Sequence, residues 1–158
     1  MNTQFLEEVE NLTKELLALL KVEAPVVVEI GVEGVVEINI GQESEAGEGE
    51  LGLLIGYRGT TLRSLQTILS LIVNRQRERW VKLLVDIGGY RKHHIEALQA
   101  LARRSAEKAR FLKEEVMLPP MNSFDRRIIH LTIAEMPDMI SESAGEEPRR
   151  RVIIRPRQ

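Results

Sequence analysis

The 158-residue chain has no cysteine, which excludes disulfides and thiolate metal sites. It has only six aromatic residues (one Trp, two Tyr, three Phe), so its core and any binding groove have to be largely aliphatic. No apolar run approaches the ~18 residues of a membrane helix. The start, Met1 to Glu8, is acidic and has no signal-peptide pattern. A cytoplasmic protein with no membrane partner is therefore expected. Walker, H-E-x-x-H and G-x-S-x-G signatures are missing too. His93 and His94 are adjacent and would face different sides of a helix, which makes them poor joint metal ligands. No catalytic residue, metal or cofactor is expected, and the chain is read as a non-enzyme.

With 43% apolar and 29% charged residues, the chain can bury a core and stay soluble. Its formal charge of −2 hides an asymmetry. Residues 1–50 hold 12 Glu and 2 Lys, a balance of −10, while residues 51–158 hold 20 Lys and Arg against 12 Asp and Glu, a balance of +8. The basic part is the natural place to look for a polyanion partner.

Hydrophobic period divides the chain into elements. Residues 3–21 read as a helix with Phe5, Val9, Leu12, Leu16, Leu17 and Leu20 on one face, Thr3 as cap and Pro25 beyond its end. Val28, Ile30 and Val32, then Val36, Ile38 and Ile40, alternate with polar residues or glycine as the two arms of a hairpin. Residues 41–50 read as an acidic loop and 51–55 as a short helix or turn. A helix follows from Thr60 to about Arg79, with Leu62, Leu65, Ile68, Leu69, Ile72 and Val73 inward, then a strand over Trp80–Ile87. Gly88-Gly89 closes this unit at about residue 90. In the second unit, residues 91–158, a helix over 91–115 turns Ile95, Leu98, Leu101, Ala102, Ala109 and Leu112 to a core. A short strand at 115–118 and a helix from Ser123 or Asn122 to about Glu135 follow, the latter with Phe124, Ile128, Leu131 and Ile133 or Ala134 inward. Strands at 139–143 and 151–154 end the unit. The fold class is α+β throughout.

The most informative stretch joins these elements. Ile55-Gly56-Tyr57-Arg58-Gly59-Thr60 puts an I-G-x-x-G loop at the mouth of an amphipathic helix. Two glycines three apart let the backbone approach a ligand, and the unpaired N–H groups of the helix start favour a phosphate. A KH domain clamps about four backbone nucleotides in this way. In the second unit, Arg126 and His130 stand four apart and share a helix face, with Arg127 adjoining and Arg149-Arg150-Arg151 at the last strand. Such a face can donate to phosphate oxygens, and His can stack on a base.

The loop, the segment Pro119-Pro120-Met121-Asn122-Ser123-Phe124-Asp125-Arg126-Arg127-Ile128-Ile129-His130 and the closing Gly145 to Ile154 together resemble the Jag family (SpoIIIJ-associated, also called KhpB). The resemblance runs from about residue 3 to 155. It implies a type II KH domain at 1–90 followed by a small R-three-H α+β domain at 91–158, in a bacterial RNA-binding protein linked to RNA chaperoning and post-transcriptional regulation. It also implies a small single-KH partner of the KhpA kind. By motif, Gly56, Tyr57, Arg58 and Gly59 are the clamp, and Arg126 and His130 the signature pair. On this resemblance the chain is expected to begin at the KH helix, without the amino-terminal Jag domain of many members. It carries Tyr57 where a basic residue is common and Arg149 where an aromatic is usual.

The expected partner is single-stranded RNA or its DNA analogue. Arg58 and Arg63 would add charge at the loop, while bases lie on Ile55, Leu62 and a residue of the 36–40 arm. The second site would use Arg126, Arg127, His130, Arg149, Arg150 and Arg151. Tethering two weak sites could raise joint affinity by ~10²-fold. The alternatives are a protein-interaction scaffold, or a ribosome-associated assembly factor pairing with a small KH protein.

Overall fold

The structure, a computed structural model, describes residues 3–41, 48–75 and 77–157. The chain divides into two compact units, residues 1–91 and 92–158.

The first unit runs α1 (Thr3–Leu19), β1 (Val26–Ile30), β2 (Val36–Ile40), α2 (Glu48–Ile55), α3 (Thr60–Asn74) and β3 (Leu83–Ile87). β1 pairs antiparallel with β2, and β2 pairs parallel with β3, so the strand order is β1-β2-β3. The alternation read from sequence sets the faces: Val26, Val36, Ile38, Ile40, Leu83, Val85 and Ile87 are buried under the helices. Ile30 and Val32, expected on this face, are exposed, Val32 in a 3-10 turn over Val32–Gly34. Residues 42–47, most of the expected acidic loop, lie outside the described residues. Residues 48–50 already belong to α2.

Two helices end earlier than the apolar pattern suggests, and each has a local cause. α1 stops at Leu19, where Lys21 turns left-handed (φ 58) and the Val22 amide donates to Leu17 O at 3.0 Å. That is a Schellman-type closure. Leu20 is consequently exposed, and Thr13, bonded back to Val9 O at 2.7 Å, completes the buried stripe with Phe5, Val9 and Leu17. Thr3, expected as the cap, is itself helical.

α3 ends at Asn74 rather than near Arg79 because the buried Asn74 side chain takes over the backbone bonding. Its amide donates to Ser70 O (2.8 Å) and Val81 O (3.0 Å), and its oxygen accepts from Val81 N (2.7 Å). The expected strand start at Trp80 shifts to Leu83 for the same reason: Val81 bonds to Asn74, not to a neighbouring strand. α3 buries Leu62, Leu65 and Leu69, while Ile68, Leu71 and Ile72 face solvent.

The second unit contains most of α4 (Tyr90–Leu112), then β4 (Val116–Met117), α5 (Ser123–Ala134), β5 (Met139–Ala144) and β6 (Arg151–Pro156). The sheet order β4-β6-β5 is antiparallel throughout. α4 packs through the small stripe Leu98, Ala102, Ala106 and Ala109, and Leu112, expected inside, is exposed. Asn122, not Ser123, caps α5 by accepting from Asp125 N at 2.9 Å.

The inward face of α5 differs from the expected one. Asp125, Arg126, Ile129, Thr132 and Ile133 are buried, whereas Phe124 and Leu131 are exposed. A count of apolar residues turns this helix the wrong way, because two charged side chains are held inside by hydrogen bonds. No described helix is long and apolar enough to cross a membrane.

Asn74 carries three buried hydrogen bonds, each worth roughly 1 kcal/mol net. Asn74→Ala should lower unfolding free energy by about 2 kcal/mol, measured by urea denaturation, with an unchanged denaturant slope.

Candidate nucleic-acid interface

The G-x-x-G segment forms a 3-10 turn, Tyr57–Gly59, between α2 and α3. Gly56 takes φ 69 and ψ 179, a conformation reserved for glycine, and Gly59 takes φ 73 and ψ 20. A Cβ on Gly56 would collide with the Thr61 side chain, and one on Gly59 would sit 2.9 Å from Tyr90 Cε1. Thr60 Oγ1 donates to Tyr57 O at 3.0 Å and fastens the turn. Gly59 is the N-cap of α3 and has no side chain to cap it, so none competes for the first-turn N–H groups.

Around this turn the expected residues separate. Tyr57 is exposed, and the Arg58 guanidinium lies 5.1 Å from its ring centroid. Thr60 and Arg63 are exposed, and Ile55 is half-buried. Leu62, however, is a core residue, as are Val36, Ile38 and Ile40, so the expected aliphatic groove keeps only Ile55. Side chains turned to the sheet cannot also line a groove on the outer surface.

Sequence reasoning missed Tyr90 and Arg91. Tyr90 is the floor that requires glycine at 59. Arg91 donates from Nε to Val85 O (2.9 Å) and from Nη2 to Gln66 Oε1 (2.5 Å), and its amide binds Asp86 Oδ1 (3.1 Å). Burial, only partly offset by Asp86, lowers its pKa, and Arg63 adds to the lowering. The only signal for either residue was their position just after a glycine pair.

The second constellation surrounds a cavity of about 460 Å³ lined by Ser123, Arg126, Arg127, His130, Leu131, Ala134, Ser143 and Arg150. Of the three consecutive arginines only Arg150 reaches it. Arg149 sits in an exposed turn. Arg151 pairs with Ala144 and so faces away from Val152 and Ser143, which share the α5 side of the sheet. Alternation along a strand separates neighbours that look like one cluster in sequence.

Arg126 was expected on an exposed face, but it is only 8% exposed. Its Nη1 donates to Met121 O and to Glu147 Oε1, both at 2.7 Å. The Met121 amide in turn donates to Arg150 O at 3.1 Å. Arg126 therefore clasps the segment before α5 to the β5–β6 loop, and the same stitching presents Arg150 to the cavity. Beside it, the buried Asp125 receives His94 Nε2 at 2.9 Å, joining α4 to α5.

His130 lies between two serines, with Nδ1 2.8 Å from Ser141 Oγ and Nε2 2.8 Å from Ser143 Oγ. Burial, and then the positive charge of Arg126, lowers its pKa below the usual histidine value. The neutral imidazole fixes the Ser143 hydroxyl at the cavity and adds no charge. Positive charge facing a ligand comes from Arg127 and Arg150.

Residues 7–85 match the family model of the KhpA/KhpB KH domain, and residues 96–156 that of the R-three-H domain. Three curated relatives carry the name RNA-binding protein KhpB. The protein of Clostridium symbiosum is 42% identical over 105 residues, 66% of this chain and 47% of that protein. That of Lactiplantibacillus plantarum is 30% identical over 132 residues, 82% of this chain and 41% of its own length. That of Bacillus subtilis is 36% identical over 104 residues, 65% and 50% respectively. The chain thus spans half or less of the length of these relatives.

Because the folded His130 resists protonation, the unfolded chain takes up that proton first as pH falls. The stability this residue supplies is complete above the usual histidine value and disappears as pH drops through the lower folded value. The advantage of wild type over His130→Gln in urea unfolding should be largest near neutral pH and shrink on acidification. A pH-independent gap would contradict this.

Proposed function

The chain belongs to the KhpB family, with a KhpA/KhpB KH domain followed by an R-three-H domain, and from this premise we propose that it binds single-stranded RNA through two separate phosphate sites. The observation that carries the reading is the loop at Gly56–Gly59, where backbone shape leaves the start of a 15-residue helix with no side-chain cap. Phosphate oxygens would meet those N–H groups and the helix dipole. Arg58 and Arg63 would add charge. The second site is the cavity of Arg127, Arg150, Ser123 and Ser143, with Arg126 and His130 holding its walls. Arg149 and Arg151, outside the cavity, would contribute only to the general positive field.

Nothing in either site calls for bond-making chemistry. Among the described residues, the hydrogen-bond partners of the neutral His130 are two serine hydroxyls, which suits a binder, and the cytoplasm is its proposed location. RNA chaperoning and post-transcriptional regulation are the roles that fit it. A second KH chain of the KhpA kind is the proposed protein partner. The outward stripe Ile68, Leu71 and Ile72 on α3 favours it, since three such side chains in water invite burial. A charge at its centre, Leu71→Glu, should abolish co-elution with KhpA in size-exclusion chromatography and spare RNA binding.

The test of RNA binding is fluorescence anisotropy with a short single-stranded RNA, its DNA analogue and a duplex. Affinity for the single strand should fall with salt at a log–log slope of about −0.7 per phosphate contact. Gly59→Asp should remove the loop's contribution, and Arg58→Gln with Arg63→Gln, which leaves the backbone intact, should weaken it about tenfold. Arg127→Ala with Arg150→Ala should do the same at the cavity. Salt-insensitive binding, or none, would overturn the reading.

A further inference from the structure

α5 leaves its apolar stripe in water. Phe124 is 50% exposed and Leu131 is 56% exposed, with Arg127 exposed and Ile128 half-buried between them. The spacing i, i+3, i+4, i+7 puts all four on one face. The arrangement follows from what the helix buries instead: Asp125 is held by His94, and Arg126 by Met121 and Glu147. The stripe also runs into the cationic cavity, because Arg127, Leu131 and the neighbouring Ala134 line it together with Arg150 and Ser143.

On the strength of the RNA-binding reading, we infer that the Phe124–Leu131 stripe is a platform for unpaired nucleobases whose phosphates are held by Arg127 and Arg150. Every base offers a π-face, and stacking on an exposed ring is tolerant of sequence. From Phe124 to Leu131 the helix rises about 10 Å, room for on the order of two nucleotides of an unstacked strand. A cation inside an apolar stripe suits a ligand that alternates flat apolar groups with anions, which describes a single strand. A duplex keeps its bases stacked inward and offers the stripe nothing. The aromatic side chain is in short supply here, one of three Phe in the chain, and its exposure one helical turn from Arg127 matches this ligand.

The test titrates the full chain with a single-stranded RNA and with an abasic ribose–phosphate oligomer of equal length and charge. Wild type should bind the base-bearing strand about tenfold more tightly, the low end of what stacking one base contributes. Phe124→Ala should remove most of that preference and leave the abasic affinity unchanged, since Phe124 is outside the cavity lining. Its side chain is half in water, so the variant should melt like wild type, which circular dichroism checks. Equal, salt-sensitive wild-type binding of the two oligomers would overturn the platform while leaving phosphate recognition in place. A Phe124→Ala variant that weakens both oligomers alike would overturn it too, by showing an effect on cavity shape. A variant silent toward both would assign the stripe to another occupant, such as a protein. Failure of wild type to bind either oligomer would remove the RNA-binding reading and the platform with it.

Discussion

A guanidinium taken out of water must find acceptors, and the second unit is organised around how Arg126 finds them. Leaving such a charge unpaired would cost several kcal/mol, more than most single contacts in a domain contribute. Met121 O and the Glu147 carboxylate meet the demand. Doing so fixes the approach of the Pro119–Met121 segment, the path of the β5–β6 loop and the rotation of α5 about its own axis. With Asp125 bound to His94 on the other side, the first turn of α5 is anchored at two charged points. The placement of Arg150 at the cavity and of Phe124 in water both follow from that rotation.

The element order was legible in the sequence because alternation and helical period are set by which residues can be buried. Val36, Ile38 and Ile40 and their parallel partners Leu83, Val85 and Ile87 carry that signal cleanly. It failed where a polar group was bonded inside. Thr13 took the place of an apolar residue in α1, Asn74 ended α3 by binding the chain after it, and Asp125 and Arg126 turned α5. A hydrophobicity count cannot register an internal hydrogen bond, since it scores the polarity of each side chain and not the partner that satisfies it. The arginine run failed differently: Arg149, Arg150 and Arg151 look like one patch until strand geometry sends them in separate directions.

The loop site was easier to read because its chemistry is in the backbone. Positive φ at Gly56 and Gly59 follows directly from residue type, and so does the missing Cβ. Arg58, at φ 50, is the one non-glycine residue of the turn forced into the left-handed region. The strain there is offset by the Thr60 hydroxyl on Tyr57 O and by the ring of Tyr90 beneath Gly59. A loop held this way spends little conformational entropy when a ligand arrives, which is how a small contact area can still bind.

The two sites differ in what they ask of their side chains. The loop asks for the lack of two, and Tyr57 in place of a basic residue leaves the backbone of the turn intact. The cavity asks for several in register: Arg126 to hold the loop, His130 to hold Ser143, and Arg127 and Arg150 to carry the charge. Arg149 lies in an exposed turn outside that set, so exchanging an aromatic for an arginine there alters the surrounding field rather than the cavity wall. Because the imidazole is kept neutral, the charge presented to a ligand is that of arginine alone, and it does not change across physiological pH. Attraction to a polyanion would then be governed by ionic strength, while the apolar stripe of α5 would supply a contact that salt does not screen.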